Sequence, residues 1–346
     1  MSEITAAINQ LVEGGTITPD QIGLALGEIM DGKATPATTA GLLVALRMKG
    51  ETPEEIVAVA RALRERATTA QVRDERVVDT CGTGGSGIDT FNISTTAAFV
   101  VAGAGVSVAK HGNRAATSRS GSFDVLEELG IRINLPIKTY ASILDEIGIA
   151  PFFARTAHPA FRHVGPVRSE LGVRTLLNCL GPLLSPVGAR YQVVGVYARE
   201  LVKPLALALA ELGAKRALVV HGDDGMDELT TTGSSKAAMV TGGRVEVFSV
   251  DPARLGLERA TLTDLAGGTP AENAETTRAI LRGEKGPRRE IVLLNAAAAL
   301  WVVEAVASLE EGIERAAESI DGGKAQAKLE ALASATASAE TTESAS

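Results

Sequence analysis

Four glycines within six residues, Gly82, Gly84, Gly85 and Gly87, separate the paired valines Val77 and Val78 from the apolar run Thr95 to Val101. A segment this rich in glycine cannot fill a core, so it serves as a connection between a strand and a helix. Glycine tolerates the backbone conformations that turn successive N–H groups into one concave space, a shape suited to phosphate oxygens. A helix that starts just beyond adds the positive end of its dipole to that space. The stretch therefore predicts a strand, loop and helix of a parallel α/β sheet, with the loop as a candidate anion seat. A flexible turn leaves the same trace in isolation, so the assignment needs a second observation.

Two better-known loops are excluded. Gly82, Gly84 and Gly87 fit the spacing of the dinucleotide fingerprint, but that fingerprint wants an acid about 20 residues further on. Val106 to Lys110 fills that region without one, and Ile88 to Phe91 intervene before the helix. A P-loop needs lysine where Ile88 stands.

The second observation is the run Lys110, His111, Gly112, Asn113, Arg114, Ala115, Ala116, Thr117, Ser118, Arg119, Ser120, Gly121, Ser122. Lys110 and Arg114 supply positive charge, while Asn113, Thr117, Ser118, Ser120 and Ser122 supply donors without apolar bulk. The run follows the apolar stretch 105–109, so it is a second strand-end loop. Such loops gather at the carboxyl edge of a parallel sheet, where ligands bind. A third polar cluster, Asp223, Asp224, Asp227 and Glu228, follows the apparent strand Ala217 to Val220. Carboxylates this dense repel one another unless a cation or water separates them. Hard oxygen donors suit Mg²⁺, which takes one or two carboxylates plus phosphate oxygens, so Asp227 and Glu228 are candidate ligands. A solvated acidic turn is the alternative.

Around these clusters the chain divides. Thr18-Pro19 with Gln21, Thr35-Pro36, and Thr52-Pro53 with Glu55 are successive helix starts, two of them complete capping boxes. Residues 1–72 are thus expected to form a helical domain. Short β-branched runs then alternate with helical stretches, which predicts an α/β domain over 73–321 with a mostly parallel sheet. Candidate strands are Val106 to Ala109, Gln192 to Val196 and Ala217 to His221. Candidate helices are Phe123 to Gly130, Thr139 to Ile147, Leu201 to Leu212, Glu275 to Arg282 and Glu290 to Val303. From residue 322 the composition collapses to Ala, Ser, Thr and Glu, which reads as a disordered tail over 322–346.

Hydrophobic content of 45% is ample for a core, and a net charge of −8 without a basic block speaks against nucleic-acid or membrane-surface partners. Cys81 and Cys179 are the only cysteines. Their spacing supports neither a disulfide framework nor a zinc site, and both are expected to be free buried thiols. No run of about 18 apolar residues and no leader pattern occurs, so the expectation is a soluble cytoplasmic protein.

The runs GTGGSG, NIST and KHGNRAATSRSGS, then HPAF, VRSELGVRT from Arg168 to Thr175, and HGDDGMDEL from His221 to Leu229, resemble anthranilate phosphoribosyltransferases. This is a family of the nucleoside phosphorylase and phosphoribosyltransferase fold. The motifs keep the family's order and spacing from the N-terminal helices to about residue 320. The resemblance implies that phosphoribosyl diphosphate meets Gly82, Gly85, Ser86, Thr90, Asn92, Ile93, Ser94, Thr95, Lys110, His111, Gly112, Asn113, Arg114, Ala115, Ala116, Thr117, Ser118 and Ser122. It implies anthranilate positions at Gly82, Asn113 and Arg168, and Mg²⁺ ligands at Ser94, Asp227 and Glu228. It also implies that residues 158–186 return to the helical domain as one wall of the acceptor site, and that the helical domain forms a homodimer.

The reaction so implied is displacement of diphosphate from C1 of the sugar by the neutral amine of anthranilate. No activated serine or cysteine is required and none is evident. His111 and His158 could carry protons or simply pack, and no general base is assigned. Ser86 stands where the family usually has Asp, Arg155 replaces a common Pro, Thr117 a common Ser, and Phe123 a smaller residue. Changed affinities rather than changed chemistry are the expectation. The rivals are a pyrimidine-nucleoside phosphorylase, which would not need the Asp227–Glu228 pair, and a non-catalytic nucleic-acid-binding relative, which would need a basic groove.

Overall fold

The structure is a computed structural model and describes residues 2–115 and 119–339. Helices α1 (Glu3–Val12), α2 (Pro19–Met30), α3 (Pro36–Lys49) and α4 (Pro53–Arg64) open the chain. The side chains of Thr18, Thr35 and Thr52 accept the N–H groups of Gln21, Thr38 and Glu55. Each of those three side chains returns a bond to its cap backbone, so all three Thr-Pro starts carry reciprocal caps. Thr38 does this where the usual pattern has Glu or Gln, which is why only two boxes are legible in the sequence.

The chain continues through β1 (Val78–Asp79), α5 (Ile93–Gly103), β2 (Val108–Gly112), α6 (Ser122–Glu128), α7 (Ile137–Ile147) and β3 (Ile149–Phe153). The short helices α8 (Ala154–Ala157) and α9 (Gly165–Leu171) lead to β4 (Tyr191–Gly195), α10 (Val202–Glu211), β5 (Arg216–Gly222), β6 (Ser235–Thr241) and β7 (Arg244–Val250). Helices α11 (Pro270–Leu281), α12 (Pro287–Val302), α13 (Leu309–Asp321) and α14 (Lys324–Ser338) follow. One seven-stranded sheet has the order β3-β2-β1-β4-β5-β6-β7, with the first five strands parallel. It is the mostly parallel α/β sheet expected. Two departures stand out. The strand-then-helix rhythm ends at β5, because β6 and β7 close as an antiparallel hairpin across Gly242 and Gly243, both at positive φ. Strand β3 is masked in the sequence by Pro151, which an edge strand tolerates.

One core lies between a sheet face and helices α5, α6, α7 and α11 to α14, with Phe99, Tyr140, Phe152 and Leu294 buried. On the opposite face Val194, Val196, Val219, Ala238 and Val240 join a second cluster with α10 and the helical segment α1 to α4. Val164, Leu176, Leu180 and Leu184 belong to that same cluster, so residues between α8 and β4 pack with the N-terminal helices. The expectation of disorder from residue 322 fails over α14. That helix lies on α5, with Leu329 and Leu332 buried. Gly103 permits the crossing, since a Cβ there would stand 2.6 Å from the Ala325 nitrogen. Small residues that read as low complexity are what such a close approach requires. Residues 340–346 lie outside the described residues.

Candidate active site

The glycine loop leaves β1 at the carboxyl edge of the sheet. Gly84, Gly85 and Gly87 all take positive φ, between 65° and 80°, which L side chains adopt at a cost. The Gly84 N–H donates to Asp227 Oδ2 at 2.9 Å, so the loop is tied to the acidic cluster 143 residues away. Thr83 N–H donates to the Gly195 carbonyl at 2.8 Å. Nothing in the sequence marks Gly195, yet a Cβ there would come within 1.6 Å of the Asp227 carbonyl oxygen. The end of β4 must be bare for Asp227 to reach the loop.

Beside it, Glu228 Oε1 accepts the Ser94 N–H at 3.2 Å at the start of α5. Burial, and then the neighbouring Asp227 carboxylate, push the Glu228 carboxyl up to about 7. The Lys110 ammonium is buried and donates to the Thr80 carbonyl at 2.9 Å and to Ser94 Oγ at 3.5 Å. Segments far apart in sequence thus bring Ser94, Lys110, Asp227 and Glu228 together. The three candidate metal positions fall in one cluster, and all three offer hard oxygen atoms.

The next residue faces the other way. In the register of β1 and β2, Val78 pairs with Val108, so Asp79, Cys81 and His111 share one sheet face and Lys110 takes the opposite one. Asp79 Oδ1 accepts the His111 N–H at 3.1 Å, and burial raises the Asp79 carboxyl to about 7 despite the nearby Lys110 charge. Burial, and then His158, lower His111 to about 3, while burial lowers His158 to about 4, so both rings are neutral at pH 7. The rings meet edge to face at 5.3 Å. Backbone at Gly181 and Leu184 offsets part of the desolvation without reaching hydrogen-bonding geometry to either ring. Cys81 and Cys179 are free and buried, as expected.

The second loop is braced from within. Ser122 Oγ and the Phe123 N–H donate to the Asn113 carbonyl, and Asn113 Oδ1 accepts the Arg114 N–H. Arg114 is expected from the sequence to add positive charge toward an anion, but its guanidinium is engaged by Asp124 at 2.9 Å and Glu127 at 2.6 Å on α6. Its charge is already met by that helix. Asn92 precedes α5 and links Ser120 to Asn273, while Thr90 bridges to Ala266. Ser86 Oγ accepts the Ile88 N–H inside the glycine loop. Ile93 and Thr95 are buried in the first turn of α5. The expected positions Ala116, Thr117 and Ser118 lie outside the described residues.

Arg168 sits on α9, where burial lowers its pKa, and its guanidinium meets no carboxylate among the described residues. Six residues on, Arg174 donates to the Gly85 carbonyl at 3.3 Å and stacks 4.8 Å from the centre of the Tyr197 ring. The Tyr197 N–H in turn donates to Thr83 Oγ1. The segment that carries Arg168 is therefore strapped to the glycine loop, a contact that spacing alone could not announce.

Known proteins share this architecture. Residues 5–67 match the helical bundle domain of a glycosyl transferase family, and residues 74–326 match its a/b domain. An anthranilate phosphoribosyltransferase of Symbiobacterium thermophilum is 51% identical over 94% of this chain and 96% of its own length. Its counterpart in Moorella thermoacetica is 49% identical over 95% and 97%. The crystal structure of the Thermus thermophilus enzyme superposes with a TM-score of 0.91 at 43% identity, covering 96% of this chain and 99% of that one. A Saccharomyces cerevisiae enzyme in complex with PRPP and Mg gives a TM-score of 0.88 at 28% identity over 97% and 98%. These relatives agree with the transferase expectation and not with a nucleoside phosphorylase or a nucleic-acid-binding protein. The chain belongs to the anthranilate phosphoribosyltransferase family.

Proposed function

We propose that the chain transfers the phosphoribosyl group of 5-phosphoribosyl 1-diphosphate to the amine of anthranilate, releasing diphosphate and forming N-(5-phosphoribosyl)anthranilate for tryptophan biosynthesis. The observation that carries this reading is the convergence of Lys110, the start of α5 and the Asp227–Glu228 pair between two glycine-bearing loops. The Saccharomyces cerevisiae enzyme, solved in complex with PRPP and Mg and also with 4-fluoroanthranilate, supports the choice of substrates.

The donor set fits Mg²⁺. Ser94, Asp227 and Glu228 offer hard oxygens, and the mutual repulsion that helps raise Glu228 is what a dication relieves. When bound, Mg²⁺ supplies charge neutralisation for the departing diphosphate. The chain's own groups do the rest. Lys110 and the N–H groups of the glycine loop stabilise negative charge as the C1–O bond lengthens and the ribose gains oxocarbenium character. Arg168, which meets no carboxylate among the described residues, pairs with the carboxylate of anthranilate. Asn113 uses its Oδ1 within the loop, leaving its amide NH₂ to orient the acceptor. Holding the neutral amine near C1 then accounts for much of the rate. We further place the enzyme in the cytoplasm as a homodimer through the helical domain, where Val12, Leu24 and Met48 are exposed apolar residues. No helix among the described residues is long and apolar enough to cross a membrane.

With phosphoribosyl diphosphate and Mg²⁺, the purified chain should consume anthranilate fluorescence. Lys110→Ala and the double variant Asp227→Ala/Glu228→Ala should each slow this by about 10²-fold or more. Unchanged rates in both would remove Lys110 and the acidic pair from any part in stabilising the leaving group.

A further inference from the structure

We propose that Asp79, Cys81 and His111 form a binding site for a borderline divalent metal ion, with Zn²⁺ the best match, on the sheet face opposite Lys110. The carboxylate, sulfur and imidazole donor atoms all lie within 4.8 Å of one another. The three residues are at most 8% exposed. Among the described residues, Asp79 Oδ2 and both ring nitrogens of His111 meet no hydrogen-bond partner, and the two ring nitrogens of the adjoining His158 are equally unpartnered. Buried polar atoms in native proteins are nearly always paired with protein, water or an ion, so such a concentration requires an occupant.

The donor types select the metal. A thiolate and an imidazole are poor ligands for Mg²⁺ and good ones for Zn²⁺, and one carboxylate plus one thiolate balance the charge of a dication in a buried site. Reaching bond lengths of about 2.3 Å to sulfur and about 2.0 Å to nitrogen needs shifts of only about 1 Å. Binding forms the S–metal bond as the thiol proton leaves to solvent. Cys81 directly precedes Gly82, and His111 directly precedes Gly112. An ion at this point ties the roots of the two loops together, distinct from the hard-oxygen cluster across the sheet.

The test uses the full chain titrated with Co²⁺ as a spectroscopic stand-in. The expected result is one ion per chain, visible bands of tetrahedral cobalt and a near-ultraviolet sulfur-to-cobalt charge-transfer band. Cys81→Ser should abolish that band, His111→Gln should weaken binding by about tenfold or more, and Cys179→Ser and Asp227→Ala/Glu228→Ala should leave the band intact. Zn²⁺ should compete for the Co²⁺ and raise the melting temperature of the wild type but not of Cys81→Ser. Absence of a charge-transfer band in the wild type, as a water-filled cluster would give, overturns the proposal whatever the variants do. So does a band that survives in a folded Cys81→Ser protein.

Discussion

Lys110 and His111 are neighbours on one strand, both buried, and their surroundings could hardly differ more. Lys110 faces a charged side assembled from β1, α5 and the turn after β5, and its ammonium has partners in Thr80 and Ser94. His111 faces a side where its own ring nitrogens, those of His158 and Asp79 Oδ2 meet no partner among the described residues. The difference follows from cost. A buried ammonium without partners is prohibitive, whereas a buried imidazole escapes by staying neutral. The charged side is therefore fixed in geometry before any ligand arrives, and the other side is held by packing and by bonds such as those from the His111 backbone N–H to Asp79 and from Gln192 Nε2 to the Pro182 carbonyl.

The largest effect that would sharpen this contrast comes from Glu228→Gln. The variant keeps an acceptor for the Ser94 N–H but removes a charge, and turnover should fall by about 10²-fold to 10³-fold. Stability should move the other way. Glu228 is raised in the folded state to about 7 from an ordinary value of 4.5. Its stabilising contribution is thus complete below the unfolded pKa and lost as pH rises through the folded one. Glu228 is only partly buried, so we discount the corresponding penalty to about 1–2 kcal/mol. Urea unfolding without metal should find Glu228→Gln more stable than wild type by that amount at pH 8 and nearly equal at pH 4. Equal stability at both would show that the carboxylate is not strained by its site.

Gly195→Ala strikes the charged side without touching a charge. Its Cβ would collide with the Asp227 carbonyl, so the Asp227–Glu228 pair must shift. A displacement of this kind should cost about 10²-fold in turnover, with a destabilisation of about 1–3 kcal/mol from overpacking. Retention of full activity would mean that the pair need not be fixed so exactingly by β4.

Much of the fold is legible in the sequence because its signals are local. Threonine before proline marks a helix start wherever it falls, and the glycine run can only be a loop. The hairpin of β6 and β7 is less readable, since SKAAMVT lacks the β-branched density of a central strand. Helix α14 passes for a tail because its small residues matter only against α5, where Ala325 meets Gly103 from far along the chain. At the site, the polar runs announce themselves, but which residue faces which side does not. Arg114 looks like a free cation until Asp124 and Glu127 come to meet it. Asp79 looks like the end of a strand, and Gly195 stands unremarked among ordinary strand residues.

On the acceptor side the test is Arg168→Lys, which keeps the charge but loses the planar fork. The KM for anthranilate should rise by about 10-fold to 100-fold, the worth of a charge-assisted pair, while the KM for phosphoribosyl diphosphate moves by less than about threefold. A parallel rise in both constants would place Arg168 with the packing of α9 instead.

The smallest effect expected, and the one that asks whether the two lobes act separately, is at Arg174. Its bond to the Gly85 carbonyl and its stacking on Tyr197 are exposed, so each is worth about 0.5–1 kcal/mol. Arg174→Ala should raise the KM for phosphoribosyl diphosphate by about 3-fold to 10-fold, because a looser glycine loop must be ordered when the diphosphate binds. The turnover number should change little, since the groups that meet developing charge remain in place. Arg174→Lys should recover part of the loss, as an ammonium reaches a carbonyl but stacks less well than a guanidinium. If Arg174→Ala instead raises the KM for anthranilate alone, the strap serves α9 and not the loop, and the coupling between the lobes runs through the acceptor wall.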